Sequence, residues 1–149
     1  MTGRRFLVRA LVGLVLAAGS LLAVASPASA SSTPYCRYGA WMSTSGQRIY
    51  IAQSWNAWRC WMGYGAHSSA VGALQQSLNR CYKGVIGTTL RVDNSYGPRT
   101  RAALIRTQRY LRYHGFPYLV VDGVYGPQTA LAMRHKAVTG CDTISHPGG

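Results

Sequence analysis

The sequence predicts a mainly α fold: a compact module of three helices with two turn-helix repeats, preceded by a small disulfide-stapled, Trp- and Tyr-rich appendage with short β structure. Three observations predict it. Apolar residues recur at helical spacing beyond Ala66. A nine-residue pattern that ends in a helix start occurs twice. All four tryptophans and two of the four cysteines crowd into residues 31–66.

The helices come first. Ser68 or Ser69 can cap a helix in which Val71, Leu74, Gln75 and Leu78 share a face, ending near Arg80. A loop from Cys81 to Arg91 follows, broken by Gly84 and Gly87. Pro98 opens the second helix, since proline is tolerated in a first turn, and Gly115 ends it. On that helix Thr100, Ala103, Leu104, Thr107, Gln108 and Leu111 form an uncharged face, while Arg99, Arg101, Arg106, Arg109 and Arg112 spread over the opposite arc. Pro127 opens the third, with Leu131, Met133 and Ala137 on it and Gly140 at its end.

The repeat has a period of 29 residues: the stretch from Val92 to Thr100, reading VDNSYGPRT, is echoed from Val121 to Thr129 as VDGVYGPQT. Each unit reads as a tight turn followed by a helix. Asn94 and Gly123 stand where a positive φ is wanted. Asp93 and Asp122 can bond the turn's own backbone. The proline presets the first helical turn.

Residues 1–30 read as a signal peptide. Arg4, Arg5 and Arg9 form a basic n-region, an apolar stretch runs from Ala10 to Val24, and Ala28-Ser29-Ala30 is a small-x-small cleavage site. The apolar run is shorter than the roughly 20 residues a spanning helix needs. Residues 31–66 then form the appendage, 67–141 the helical domain, and 142–149 a flexible tail. In the appendage Gln47 to Gln53 alternates polar and apolar, a strand signal. Its tryptophans, Trp41, Trp55, Trp58 and Trp61, are expected to build the segment's own core rather than to stack on sugars.

Four cysteines, Cys36, Cys60, Cys81 and Cys141, suit an exported chain with two disulfides, and no C-x-x-C pair suggests zinc. Cys36–Cys60 with Cys81–Cys141 is favoured, because the first would staple the N-terminal segment to itself; a Cys60–Cys81 bond stays open. Beyond residue 30 there are 13 basic and 3 acidic residues, a net +10, with no glutamate anywhere. Eleven of the 13 are arginines, which pair bidentately with carboxylates and phosphates. Such a surface attracts polyanions. For an exported protein these are wall teichoic acids, acidic lipid headgroups and peptide carboxylates rather than nucleic acid.

Leu74-Gln75 with Leu78, the two Asp-x-x-Tyr-Gly-x-x-Thr units, and Ala103-Leu104 with Gln108 resemble the peptidoglycan-binding domain of the type 1 family over about residues 68–138. The whole chain is similar to small exported actinobacterial wall proteins with this domain at the C-terminus. The resemblance implies a compact three-helix module and peptidoglycan as partner. Matched onto the pattern, Asp93, Tyr96, Gly97 and Thr100 fall on the first unit, and Asp122, Gly123, Tyr125, Gly126 and Thr129 on the second.

Catalytic machinery is hard to assemble from these residues. Glycoside cleavage uses paired carboxylates, and three aspartates, two of them in turns, do not supply a pair. His67, His114, His135 and His146 lack metal-site spacing, and paired cysteines offer no nucleophile. The expectation is therefore a secreted, monomeric, non-catalytic protein without metal or cofactor that binds peptidoglycan and anionic wall polymers and does not insert stably into membranes. The candidate ligand-binding residues are Tyr96, Tyr125, Asp93, Asp122, Arg99 and Arg101. The other readings are a cationic, disulfide-stabilised effector that acts on membranes or inhibits an enzyme, and a degenerate enzyme fragment.

Overall fold

A four-stranded antiparallel sheet and four helices make up the fold, in the order β1 (Tyr38–Ser43), β2 (Arg48–Gln53), α1 (Ser69–Cys81), α2 (Lys83–Ile86), α3 (Pro98–Tyr113), α4 (Pro127–Ala132), β3 (Arg134–Ala137) and β4 (Cys141–Thr143). The computed structural model describes residues 32–55 and 57–144. The expected signal peptide, residues 1–30, lies outside the described residues, as does 145–149 of the expected tail.

β1 and β2 form a hairpin with Tyr38 opposite Gln53 and Ser43 opposite Arg48. Its turn is closed by Thr44, whose amide donates to Gln47 O at 2.8 Å and whose hydroxyl donates to the same carbonyl at 2.7 Å. β2 is the inner strand. Ile49, Ile51 and Ala52 are buried on it, and its second edge pairs with β3 through Ile49–Ala137 and Tyr50–Lys136. β4 then pairs with β3 and gives the sheet order β1-β2-β3-β4. α1 lies on this sheet with Val71, Leu74 and Leu78 inward, joined there by Met62, Leu104 and Met133.

The mainly α, three-helix expectation is thus corrected on two counts. First, the described residues before 67 are not an appendage: β1 and β2 supply half of the sheet, and the described residues form one compact unit. Second, the helix opened by Pro127 ends at Ala132 and gives way to β3. Leu131, Met133 and Ala137 fit a helical stripe loosely. The period that prevails is two, with Met133, His135 and Ala137 buried and Arg134 exposed between them. The reason is tertiary. β2 has a buried edge whose backbone groups need partners, and the chain reaches it immediately after α4. Tyr82 Oη accepts from Arg134 N at 2.6 Å and Ser77 Oγ from Lys136 N at 3.1 Å, which anchors the strand to α1 and its end.

The starts of α1, α3 and α4 match the sequence expectation in place, with prolines at the first turns of the last two; Ser68 holds the N-cap position of α1, but its hydroxyl makes no capping bond. The expected Cys81–Arg91 loop contains the short α2, ended by Gly87 at φ 67°. Cys36 is bonded to Cys60 and Cys81 to Cys141, so the second bond ties the end of α1 to the start of β4. The tryptophans do not build a core of their own. Trp41, Trp55 and Trp61 are at least 40 % exposed, and the interior of that segment is made by Cys36, Cys60, Ile49, Ile51 and Met62.

His135 on β3 is 2 % exposed and shares its Nε2 with the Ala130 carbonyl at 2.8 Å. Burial pulls its pKa from 6.5 down to about 4. Between those values the unfolded chain takes up a proton that the fold refuses. Stability is therefore complete above pH 6.5 and falls as the pH drops toward 4, by about 3 kcal/mol for this group. Denaturation midpoints at pH 7 and pH 4.5 check this, with His135→Gln as the control that flattens the profile.

Candidate functional site

The two repeat turns are built by the same device. A glutamine on the preceding helix reaches into the turn and satisfies it. Gln75 of α1 donates through Nε2 to Asp93 Oδ1 at 2.8 Å, Ser95 O at 3.0 Å and Thr100 Oγ1 at 3.1 Å, while its Oε1 accepts from Asp93 N and Asn94 N at 3.1 and 3.2 Å. Gln108 of α3 donates to Asp122 Oδ1 at 3.1 Å, Val124 O at 3.0 Å and Thr129 Oγ1 at 3.2 Å, and accepts from Gly123 N at 2.9 Å. Each aspartate also caps its own turn, from Ser95 N at 3.0 Å in the first and Val124 N at 2.8 Å in the second. Asn94 takes φ 62° and Gly123 φ 72°, as the pattern requires.

This places the candidate residues. Asp93 and Asp122 are turn formers, each committed through Oδ1; the Gln75 side chain and the Ser95 amide hold the Asp93 carboxyl below the usual carboxylate range. Tyr96 and Tyr125 are each 1 % exposed, so neither ring offers a contact surface. Tyr96 Oη donates to Gly123 O at 2.9 Å and so links the first turn to the second. Burial raises both tyrosine pKa values well above the ordinary range, with the Asp122 carboxylate adding to the effect on Tyr96. Arg99 and Arg101 are exposed, at the start of α3. Arg101 Nη2 donates to Asp122 O at 3.4 Å, a second tie between the repeats.

The segment Trp61–His67 threads past both turns. Met62 and Tyr125 exchange backbone bonds at 2.8 and 2.9 Å; Gly65 N donates to Tyr96 O at 3.0 Å, and Tyr96 N to Ala66 O at 2.8 Å. It carries Tyr64, 67 % exposed, and His67, whose Nδ1 lies 2.8 Å from Ser95 Oγ.

Three hollows surround the stretch Ser95–Pro98. One of about 450 Å³ lies between Tyr64, Pro98, Arg101 and Ile105. A second, of about 230 Å³, lies on the other side of Tyr64 against His67, Ser95 and Gly97. The third, of about 420 Å³, is bordered by Leu90, Arg91, Asp93, Pro98 and Arg99. The second repeat has a hollow of about 190 Å³ at the matching place. The first turn is therefore the center of a concave surface with one exposed aromatic and three arginines. Asp122 and Tyr125 belong to the other turn and are not brought to this surface. No Asp or Glu occurs between Asp93 and Asp122, so the sign of the field along α3 is positive.

Sequence reasoning missed Tyr64, His67 and Arg91, which reach the surface through long-range backbone pairing that no local pattern reports. It placed Gln75 and Gln108 on their helices without a role. The signal available for them was a fully apolar-facing glutamine at the same place in two helices, since a buried amide needs partners. Among the described residues no three His, Cys, Asp or Glu side chains gather as a metal-ligand set, and no helix is long and apolar enough to cross a membrane.

The site is a doubled turn-helix unit cross-braced by buried glutamines, with a concave cationic surface around one turn. Residues 67–133 match the model of the family described as "Putative peptidoglycan binding domain". The matched segment holds all four helices and both repeat turns, while the four strands of the sheet lie in the residues before and after it. No curated protein and no solved structure matches the chain.

Proposed function

We propose that this chain is a secreted, non-catalytic protein that attaches to the bacterial cell wall by binding peptidoglycan on the concave surface around Ser95–Pro98. The single observation that carries this reading is the convergence of three hollows on the first turn of a segment that matches a family described as peptidoglycan-binding. Tyr64 supplies a flat face for a sugar ring or peptide, and Arg91, Arg99 and Arg101 supply charge for carboxylates. The arginines of α3 add a longer-range, salt-sensitive attraction to anionic wall polymers. Export is supported by the signal-peptide pattern of residues 1–30 and by the two disulfides. The non-catalytic reading is supported by the commitment of Asp93 and Asp122 to their turns.

The test is co-sedimentation of the oxidised protein with insoluble peptidoglycan, with and without teichoic acids, at 50 mM and 500 mM salt. Retention on stripped peptidoglycan at high salt is the expected result. Binding that disappears with salt or with the teichoic acids would assign the interaction to net charge and favour the cationic-effector reading.

A further inference from the structure

The third hollow and its counterpart in the second repeat provide an internal comparison. Apart from Gln75, which borders only the first, their borders correspond at the 29-residue offset. Leucine, aspartate, glycine, proline and threonine are the same in both: Leu90 and Leu119, Asp93 and Asp122, Gly97 and Gly126, Pro98 and Pro127, Thr100 and Thr129. The differences fall at three places, where Arg91, Ser95 and Arg99 of the first copy stand against Val120, Val124 and Gln128 of the second. One backbone design thus carries two arginines and a serine in one copy and no ionisable group besides the shared aspartate in the other. The arginine-bearing hollow is about 420 Å³, its counterpart about 190 Å³.

Arg91 favours the carboxylate form of Asp93, but the fold does not depend on this charge. The second copy makes the same glutamine-aspartate-threonine network without it. Neither the Arg91 nor the Arg99 side chain makes a hydrogen bond among the described residues, whereas Arg101 and Arg106 reach backbone carbonyls. Asp93 offsets one of the two charges and has its Oδ1 occupied by Gln75 and Ser95. A net positive hollow remains, flanked by two guanidinium groups.

We infer that the Arg91–Arg99 hollow is a carboxylate-binding subsite, selective for the free carboxylate of a peptide, and that the second-repeat hollow is not. This rests on the peptidoglycan reading, since stem peptides carry such groups, and it names what the wall ligand presents to the first repeat. Guanidinium pairs carboxylates bidentately, and such charge-assisted bonds are about twice as strong as neutral ones.

The test titrates the full chain, followed by amide NMR, with N-acetyl-D-alanyl-D-alanine, its C-terminal amide, and glycerol phosphate. The acid is expected to bind about tenfold more tightly than the amide, with shifts centered on Arg91, Ser95 and Arg99. The variant Arg91→Val with Arg99→Gln carries the residues that the second repeat already accommodates, and it is expected to bind acid and amide alike. Arg99→Gln alone should remove about half of the preference in logarithmic terms and stands in should the double variant not fold. Equal binding of acid and amide by the unmodified protein, or a preference that survives in the variants, overturns the inference. So does glycerol phosphate binding as tightly as the acid, which would assign the hollow to wall phosphates. Retention on insoluble peptidoglycan, measured in parallel, separates the two levels: retention without acid preference removes this subsite and leaves the wall-binding reading in place, while loss of retention removes that reading.

Discussion

Gln108→Ala is expected to destabilise the protein by about 3 kcal/mol and to lower Tm by about 12 °C. Gln108 is fully buried and makes four hydrogen bonds within the second turn, three as donor and one as acceptor from Gly123 N. Alanine leaves the Gly123 amide without its partner inside the protein and the Val124 carbonyl with only the Thr129 hydroxyl at 3.3 Å. Unpaired buried polar groups cost more than the bonds themselves return. Gln108→Glu should be comparably harmful, because its carboxylate would face Asp122 Oδ1 where the amide now donates. Arg109→Ala, next along the helix and exposed, is the control and should stay within about 0.5 kcal/mol. Thermal melting followed by circular dichroism decides it. A Gln108→Ala protein that melts within 3 °C of the parent would show that the turn is held by its own backbone and not by the helix behind it.

Opening the Cys81–Cys141 bond is expected to cost about 4 kcal/mol, on a chain-entropy estimate for a closed loop of this length. The cysteines are 60 residues apart, and the loop between them contains α2, α3, α4, β3 and both repeat turns. Cys36–Cys60 spans 24 residues and should cost about 3 kcal/mol when replaced by serines. The order of the two values is itself a prediction, read from urea midpoints of the two serine pairs. β4 is only three residues long and sits at the edge of the sheet. In the Cys81→Ser, Cys141→Ser protein the β3–β4 amides should therefore lose hydrogen-exchange protection before those of β1–β2.

The helical half of this fold was readable because its signals are local. Pro98 and Pro127 start helices wherever the surrounding chain goes, Gly115 ends one, and Asn94 and Gly123 announce positive φ from their residue types alone. The sheet was half readable. The alternation from Gln47 to Gln53 marked β2, but nothing local told that its far edge would be filled by Arg134–Ala137, a stretch whose apolar residues suit a helix loosely and a strand well. The candidate site divides in the same way. Asp93 and Asp122 carry a turn role that their spacing suggested. Tyr96 and Tyr125 share that spacing, yet they are buried, because Trp61–His67 pairs along both turns and covers them. The same long-range pairing brings Tyr64 and His67 to the surface that the arginines of α3 border.

The central claim is that peptidoglycan is recognised at the first-repeat turn and not at the second or on the sheet. Its most direct test is amide chemical-shift mapping of the protein with a soluble peptidoglycan fragment made of disaccharide and stem peptide. The account expects the perturbed amides to gather at Tyr64, Gly65, Ser95, Gly97, Arg99 and Arg101. Shifts centered instead on Val124–Gln128, or on β1 and β2, or no saturable shift at all, would contradict it.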